Sequence, residues 1–468
     1  LRHRSAATLC DALLSLREAG FPRRNTAFGD ASRDLWRRLL APGRPRAVPA
    51  RPAWASRDSA RAPPGFPRLP RGAAARRIPV PVIATQDALD ELLDRLAREP
   101  ELAIDTEMDA MHAYRTRLCL VQVGWDGGEA LIDAMAPLDR TRLGRLFADP
   151  AVLKVFHGGE NDVGLMRGHW GFEFENLFDT MAASQVLGHD GCGLQALLQR
   201  HFDVHVSKKF QKADWRMRPL PPEQAEYAKM DVRYLLPLRR ILADGLRELR
   251  REEEAGSEFR RIGRARVEDK PFDPESWVRI RGARELPPER RATLRALHVA
   301  RDDIARELDR APYRVMNESY VLDLALRQPG SLAALRRAAP LGRHLRPEHL
   351  ERLLAAIEAG RQVQDLPLPR KDRLTAGERY GAGPMPPEQL ALFDALRAWR
   401  AARAEARGVE VARVATNALL SAIARARPPS RADLAEVSGM EDWRLREYGD
   451  QLLDVVRGGQ GAGETQPA

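Results

Sequence analysis

The chain has 468 residues, 44% of them apolar and 30% charged, with a formal net charge of +10. At roughly 150 residues per domain this is enough for about three domains, each able to bury a core. Cys10, Cys119 and Cys192 show no paired spacing, which excludes a zinc knuckle or a disulfide framework, and no run of about 18 apolar residues offers a membrane span. The positive charge is a misleading sign of nucleic-acid binding: residues 1–77 hold 17 Arg against 5 Asp or Glu, which leaves 59 basic and 61 acidic residues for the rest. Local basic patches must carry that argument instead.

In chain order, residues 1–77 read as a disordered, basic, Pro-rich leader. A short helix is possible near Thr8–Glu18, but proline from Pro42 to Arg77 prevents a regular helix and few large apolar groups offset the entropy of ordering. A basic, acid-poor start also fits an organellar targeting segment, or residues upstream of the true start. The first ordered region spans 78–250. Thr85 before Leu89, Leu92 and Leu96 reads as a capped helix. Strands follow at Leu102–Asp105, Leu118–Trp125 and Ala130–Ile132, the last two joined through Asp126-Gly127-Gly128 as a hairpin. Val152–Phe156 leads through His157-Gly158-Gly159 into a helix over Asn161–Gly168. Leu177–Phe178 precedes a helical run, and Leu194–Leu198 begins another. A hairpin followed by strand–helix alternation predicts an α/β domain, a mixed sheet with helices on its faces.

Beyond about Glu254 strand patterns fade and Arg- and Glu-rich helical segments recur. Residues 284–360 read as one helical unit and 386–456 as a second, with Leu366–Gly383 as linker and 457–468 as a disordered tail. Both units carry a long charged helix, a short apolar helix, a Leu-Ala segment and a closing helix, which makes a weak internal repeat.

Five residues inside the first region carry the chemistry. Asp105 and Glu107, two apart on a strand, share one face, although a solvated surface strand could carry the same pair. Asp162 lies in the first turn of a helix, where acids are common for dipole reasons alone. Tyr227 and Asp231 are an i,i+4 pair on one face of a helix over Pro222–Leu236, and Asp231 sits among Ala228, Met230, Val232 and Leu235, where an unpaired acid is costly unless an ion or solvent meets it. Gathered together, these carboxylates would suit hard divalent cations.

The ordered segments IDTE, VFHGGEND, LFDT and YAKMDVRYL resemble the motifs of the DEDD 3′→5′ exonucleases that carry a tyrosine in the third motif. The stretch from Leu194 to Leu238 is similar to the ribonuclease D family in particular, and the helical units resemble the helicase-and-RNase-D C-terminal (HRDC) domain. This resemblance implies an RNase H-like mixed-sheet exonuclease domain followed by two all-α HRDC-like domains. It also implies two Mg²⁺ or Mn²⁺ ions held by Asp105, Glu107, Asp162 and Asp231. Asp105 would bridge both ions, Glu107 and Asp231 would complete the site of the attacking water, and Asp162 would support the other ion. Tyr227 would orient the water.

Other residues are candidates for holding substrate. Met108 stands where the family more often has an aromatic, His112, Tyr114 and Arg115 follow the first motif, and His157 is either a groove residue or a structural hydrogen-bonder. Asp179 is expected to support the site, and Gln122 to face the sheet surface or the groove edge. Lys208, Lys209, Lys212, Trp215, Arg216 and Arg218 form a basic-aromatic patch, in which Trp215 would stack a base or else be the core of a solvated loop; Arg233 adds charge near Asp231 or pairs structurally. The implied partner is RNA with a free 3′ end, precursor tRNA above all, acted on by a cytoplasmic monomer with no membrane association. Rival readings are a DNA 3′→5′ exonuclease and a non-catalytic RNA-binding scaffold.

Overall fold

Leu102, Ala103 and Ile104 are apolar in succession because their strand is covered on both faces. That strand, β1 (Glu101–Asp109), lies at the centre of a five-stranded sheet with β2 (Arg117–Trp125), β3 (Gly128–Asp133), β4 (Leu153–Phe156) and β5 (Leu177–Asp179) in the order β3-β2-β1-β4-β5. The β1–β2 and β2–β3 pairs are antiparallel, the β1–β4 and β4–β5 pairs parallel. The mixed sheet expected from the hairpin and the later alternation is present. At the hairpin, Gly127 takes a φ of +94°, a conformation open to glycine and strained for other residues. The computed structural model describes residues 82–109, 111–206, 209–211, 213–267, 271–338, 344–363, 365–368 and 385–458. All belong to one compact unit, Ala60–Ala468. The expected leader 1–77, the candidate residues Lys208 and Lys212, residues 369–383 of the expected linker and the tail from 459 lie outside the described residues.

Helices cover both faces of the sheet. In α1 (Gln86–Leu96), Leu89, Leu92, Leu93 and Leu96 turn inward, while Thr85 occupies the cap position without making a side-chain cap bond. Helix α2 (Thr141–Ala148) adds to the expected elements, with Leu143, Leu146 and Phe147 buried at the helical i, i+3, i+4 spacing. Then come α3 (Glu160–Trp170), α4 (Thr180–Leu187), α5 (Leu194–Phe202), α6 (Pro222–Arg233), α7 (Leu235–Glu248) and α8 (Glu252–Gly263). Helix α6 packs on β1, β2 and β3. Gly124 is what allows this approach, since a Cβ there would meet Val232 at 3.3 Å.

The two helical units repeat one another closely. The first contains α9 (Pro288–Glu307), α10 (Pro312–Val315), α11 (Glu318–Arg327), α12 (Leu332–Ala338) and α13 (Pro347–Arg361). The second contains α14 (Pro387–Arg407), α15 (Val411–Val414), α16 (Asn417–Ala426), α17 (Arg431–Ala435) and α18 (Asp442–Gly458). In each, a buried arginine of the long helix donates to the carbonyl just after the one-turn helix, Arg301 to Met316 at 3.3 Å and Arg400 to Ala415 at 2.8 Å. In each, the third helix ends on a left-handed residue, Gln328 or Arg427. Arg301 and Arg400, Met316 and Ala415, and Gln328 and Arg427 are all 99 positions apart. The first core also draws in Trp277, Ile280 and Ala283 from before α9.

Both units dock on the sheet domain through polar contacts. Tyr114, in the loop after β1, donates to Asp302 of α9 at 2.7 Å and packs against the first helical core. Tyr313 and Arg314 donate to the Met111 carbonyl at 2.6 and 3.1 Å, and Arg117 pairs with Asp309 at 2.8 Å. The second unit meets α8, where Arg407 pairs with Glu254 at 2.6 Å and Arg413 with Glu258 at 2.9 Å. Tyr114→Phe is expected to lower unfolding free energy by about 1 kcal/mol in a urea titration. The loss stays small because Asp302 keeps Arg306 at 2.8 Å and is not left as a lone buried charge.

Candidate active site

Strand β1 carries Asp105 and Glu107 in register with Gln122 and Leu120 of β2, and a bulge between Glu107 and Met108 ends the regular ladder just past the pair. Helix α6 lays Tyr227 and Asp231 over the same region, with Ala225, Ala228 and Val232 turned into the core. Together Asp105, Glu107, Tyr227 and Asp231 line a cleft of about 460 Å³, with His157 and Met181 and, on its far wall, Leu194 and Gln195 of α5. Asp162, at the start of α3, lies beneath this surface, only 7% exposed, and accepts a short hydrogen bond from the Thr106 hydroxyl. A larger cavity of about 650 Å³ opens beside the first residue of β5, but it has no comparable gathering of acids; chemistry rather than size identifies the site.

The electrostatics of the four carboxylates follow from crowding. Burial, then the charges of Asp162, Asp231 and Glu107, push Asp105 well above the ordinary carboxylate range. Burial followed by Asp231 and Asp162 raises Glu107 to about 9, and burial raises Asp231 to about 7. Asp162 rises to about 6, with burial outweighing the Thr106 hydrogen bond that opposes it. Such a group of like-charged oxygens is costly alone and is what a hard divalent cation relieves, so the donor set fits the metal that the motifs imply. Tyr227 is also pushed up, by burial and then by Asp231, Glu107 and Asp105, so its phenol keeps its proton and can donate it toward the cleft.

Around the acids the sequence candidates separate. Asp179 accepts from the Gly159 and Ala182 amides, each at 2.8 Å, and so braces the turn that delivers Asp162. In that turn Gly158 has a φ of +69°. His157 contacts the Thr180 hydroxyl through Nδ1 at 2.9 Å, and Thr180 spends its one proton on the Phe156 carbonyl at 3.0 Å. Nδ1 must therefore be the donor. With burial lowering its pKa to about 4, the neutral ring keeps Nε2 as an acceptor. Gln122 is fully buried opposite Asp105, and neither of its amide atoms has a partner among the described residues. Thr106 belongs to no candidate reading of the sequence, yet its hydroxyl donates to Asp162, and Gln122, expected at the sheet surface or groove edge, instead faces Asp105 from within the sheet.

The remaining candidates are placed elsewhere. Trp215 is 1% exposed, packed with Cys119, Leu131, Ala225 and Ala228 behind Tyr227, with the two ring centroids 6.1 Å apart. It supports the tyrosine and cannot stack on a base. Lys209 pairs with Glu223 at 3.0 Å, and Arg218 is committed to Asp133 at 2.6 Å. Arg233 pairs with Glu129. Tyr114 is turned to the first helical unit, as described above, while Met108 is half-buried beyond the bulge and Arg115 is exposed. His112, Asp109 and Asp214 place ligand atoms within 4.8 Å of one another, but Arg216 already lies between the two carboxylates, 2.9 Å from Asp109 and 3.1 Å from Asp214. An internal guanidinium does there what a metal would do.

An RNase H-like sheet with acids on its central strand and on flanking helices, followed by paired small helical units, is the arrangement of a 3′→5′ exonuclease with appended helical modules. Residues 80–247 match the family described as 3′-5′ exonuclease, and residues 290–357 and 389–456 each match the HRDC domain. Ribonuclease D of Granulibacter bethesdensis is 31% identical over 390 residues, 82% of this chain and 94% of that protein. The catalytic core of RRP6 from Trypanosoma brucei superposes with a TM-score of 0.56 at 29% identity, covering 60% of this chain and 80% of that one. Escherichia coli RNase D shares the fold with a TM-score of 0.53 at 23% identity, over 81% of this chain and 99% of that one. The chain belongs to the ribonuclease D family and is a metal-dependent 3′→5′ exoribonuclease. No helix among the described residues is long and apolar enough to cross a membrane.

Proposed function

We propose that the chain trims RNA one nucleotide at a time from a free 3′ hydroxyl end and releases 5′ nucleoside monophosphates, acting as a cytoplasmic monomer on precursor tRNAs with extra 3′ residues and on other small structured RNAs. The observation that carries this reading is the crowding of Asp105, Glu107, Asp162 and Asp231, whose raised pKa values mark a site made for bound cations. These four would hold two Mg²⁺ or Mn²⁺ ions, which when bound supply a more acidic attacking water and offset charge on the leaving 3′ oxygen.

The chain's own residues supply position. Tyr227, kept protonated, donates a hydrogen bond that orients the water. The Trp215 ring behind it limits the movement of the phenol. The Thr106 hydroxyl donates to Asp162, and Asp179 fixes the turn that delivers it. The helical units would grip the body of a folded RNA while only a single-stranded tail enters the cleft.

The test is a labelled precursor tRNA incubated with Mn²⁺ and either the intact protein or an Asp105→Asn form. Stepwise shortening from the 3′ end, lost in the variant, is expected; internal fragments or an active variant would sink the proposal. Equal rates on matched single-stranded DNA would favour the DNA-exonuclease reading instead. Tyr227→Phe is expected to lower kcat about 10–100-fold with little change in KM, because it removes a hydrogen bond used in reaching the transition state.

A further inference from the structure

A second polar cavity, about 190 Å³, opens where the loop after β1 meets the first helical unit. It is lined by His112, Arg216, Leu308, Asp309, Arg310 and Arg314. Its one carboxylate is engaged, since Asp309 pairs with Arg117 outside the lining. Arg216 is fixed by Asp109 and Asp214, and His112 by Asp109 at 2.9 Å. Arg314 donates its Nε to the Met111 carbonyl and lies over the Tyr313 ring, 5.8 Å from its centroid, and neither contact neutralises its charge. Among the described residues no carboxylate lies within ion-pair distance of Arg310 or Arg314. The Arg310 charge is felt nearby: burial first, and then Arg310, hold the His344 imidazole below its ordinary range.

Exposed arginines are ordinary on a protein surface, and most are merely solvated. These differ in converging from two domains on one small cavity, with Arg216 and Arg314 already held in place, so little ordering is left to be done when an anion arrives. A guanidinium presents parallel donors that match two phosphate oxygens. The cavity also stands in register with the chemistry. Asp109, which holds Arg216, follows Asp105 by four residues on β1, roughly 13 Å at the rise of a strand, a gap that a few nucleotides bridge.

We propose that this seam is a phosphate-binding subsite for the substrate strand a few nucleotides upstream of its 3′ end, a reading that rests on the exoribonuclease activity and adds to it. Strand phosphate would lie between Arg310 and Arg314, with Arg216 completing the cradle, so that the first helical unit and the catalytic strand read the same RNA. The site would then favour tails long enough to span from the carboxylates to the seam.

The test compares a single-stranded RNA dodecamer with a trinucleotide, using the full chain and the variants Arg310→Ala, Arg310→Glu and Arg310→Lys. The kcat/KM advantage of the dodecamer is expected to fall about tenfold in Arg310→Ala, through KM, further in Arg310→Glu, and only partly in Arg310→Lys, which keeps the charge but loses the paired donors. Independently of catalysis, dodecamer binding followed by fluorescence anisotropy in metal-free buffer should lose about 0.7 from the slope of log K against log salt for each contact removed. Failure of the unaltered protein to shorten either RNA would count against the exoribonuclease reading, and the salt slope would still judge the subsite. An unchanged length advantage together with an unchanged slope would overturn the proposal. So would inorganic phosphate binding that Arg310→Ala abolishes while dodecamer binding is untouched, because the cavity would then serve a small anion.

Discussion

Replacing Asp105 with Asn is expected to stabilise the metal-free protein while lowering the rate of 3′ shortening on the order of a thousandfold or more. The two effects share one cause. Asp105 lies within reach of the charges of Asp162, Asp231 and Glu107, and each raises its pKa in addition to the effect of burial. The amide is nearly the same shape and carries no charge, so the repulsion among the remaining three relaxes. Relief of a strained functional group is typically worth about 1–2 kcal/mol. Without the carboxylate the cleft loses the central-strand acid that interacts with all three others, and with it one of the proposed cation ligands. Calorimetry of both proteins in EDTA at pH 8, paired with initial rates in Mn²⁺, reads the two halves separately. A lower melting temperature for the variant in EDTA, or a rate within tenfold of the parent, would contradict the account.

What could be read from residues alone, and what could not, divides along chain separation. Asp105 and Glu107 were legible because two-residue periodicity is local, and Tyr227 and Asp231 because helical spacing is. The bulge after Glu107 was not, since it depends on how Met108 pairs with Leu118 across the ladder. Trp215 reads as either a stacking residue or the core of a solvated loop because its neighbours in sequence are charged. It is buried because Cys119 and Leu131 of the hairpin and Ala225 and Ala228 of α6 close over it. Tyr114 looks like a groove residue next to the first motif, and only a partner 188 positions away, Asp302, turns it toward the helical unit. Gln122 reads as a residue of the sheet surface or groove edge, but β2 is covered on both faces. The helical repeat, faint as composition, becomes definite once Arg301 and Arg400 are seen to make the same hydrogen bond. Side chains that act through distant partners leave no local signature, and the seam arginines belong to that class.

The metal-free protein is expected to lose stability as pH rises from about 7 to 8.5, and Mn²⁺ is expected to remove that loss. Glu107 at about 9 and Asp231 at about 7 have folded values above their unfolded ones, as Asp105 does. Between about pH 4 and those values the folded state binds more protons than the unfolded state, so unfolding free energy falls with rising pH. Their contribution is whole below the unfolded carboxylate pKa and is lost as pH passes the folded values. Other groups bend the curve elsewhere. His157, His189, His201 and His298 are lowered to about 4, chiefly by burial, so they add stability as pH climbs toward about 6.5 and are silent above it. Lys154, lowered by burial to about 8, begins to oppose the trend only as pH passes that value. The carboxylates thus dominate just above neutrality, with an effect of about 1–3 kcal/mol. Divalent cations favour the charged form of the same groups, so saturating Mn²⁺ should flatten or reverse the slope and bind more tightly as pH rises. Melting temperatures across that range, with EDTA or with Mn²⁺, test this directly, and Glu107→Gln should flatten the EDTA curve by itself. A metal-free protein equally stable at pH 7 and 8.5, in parent and variant alike, would mean that these acids do not crowd one another in solution.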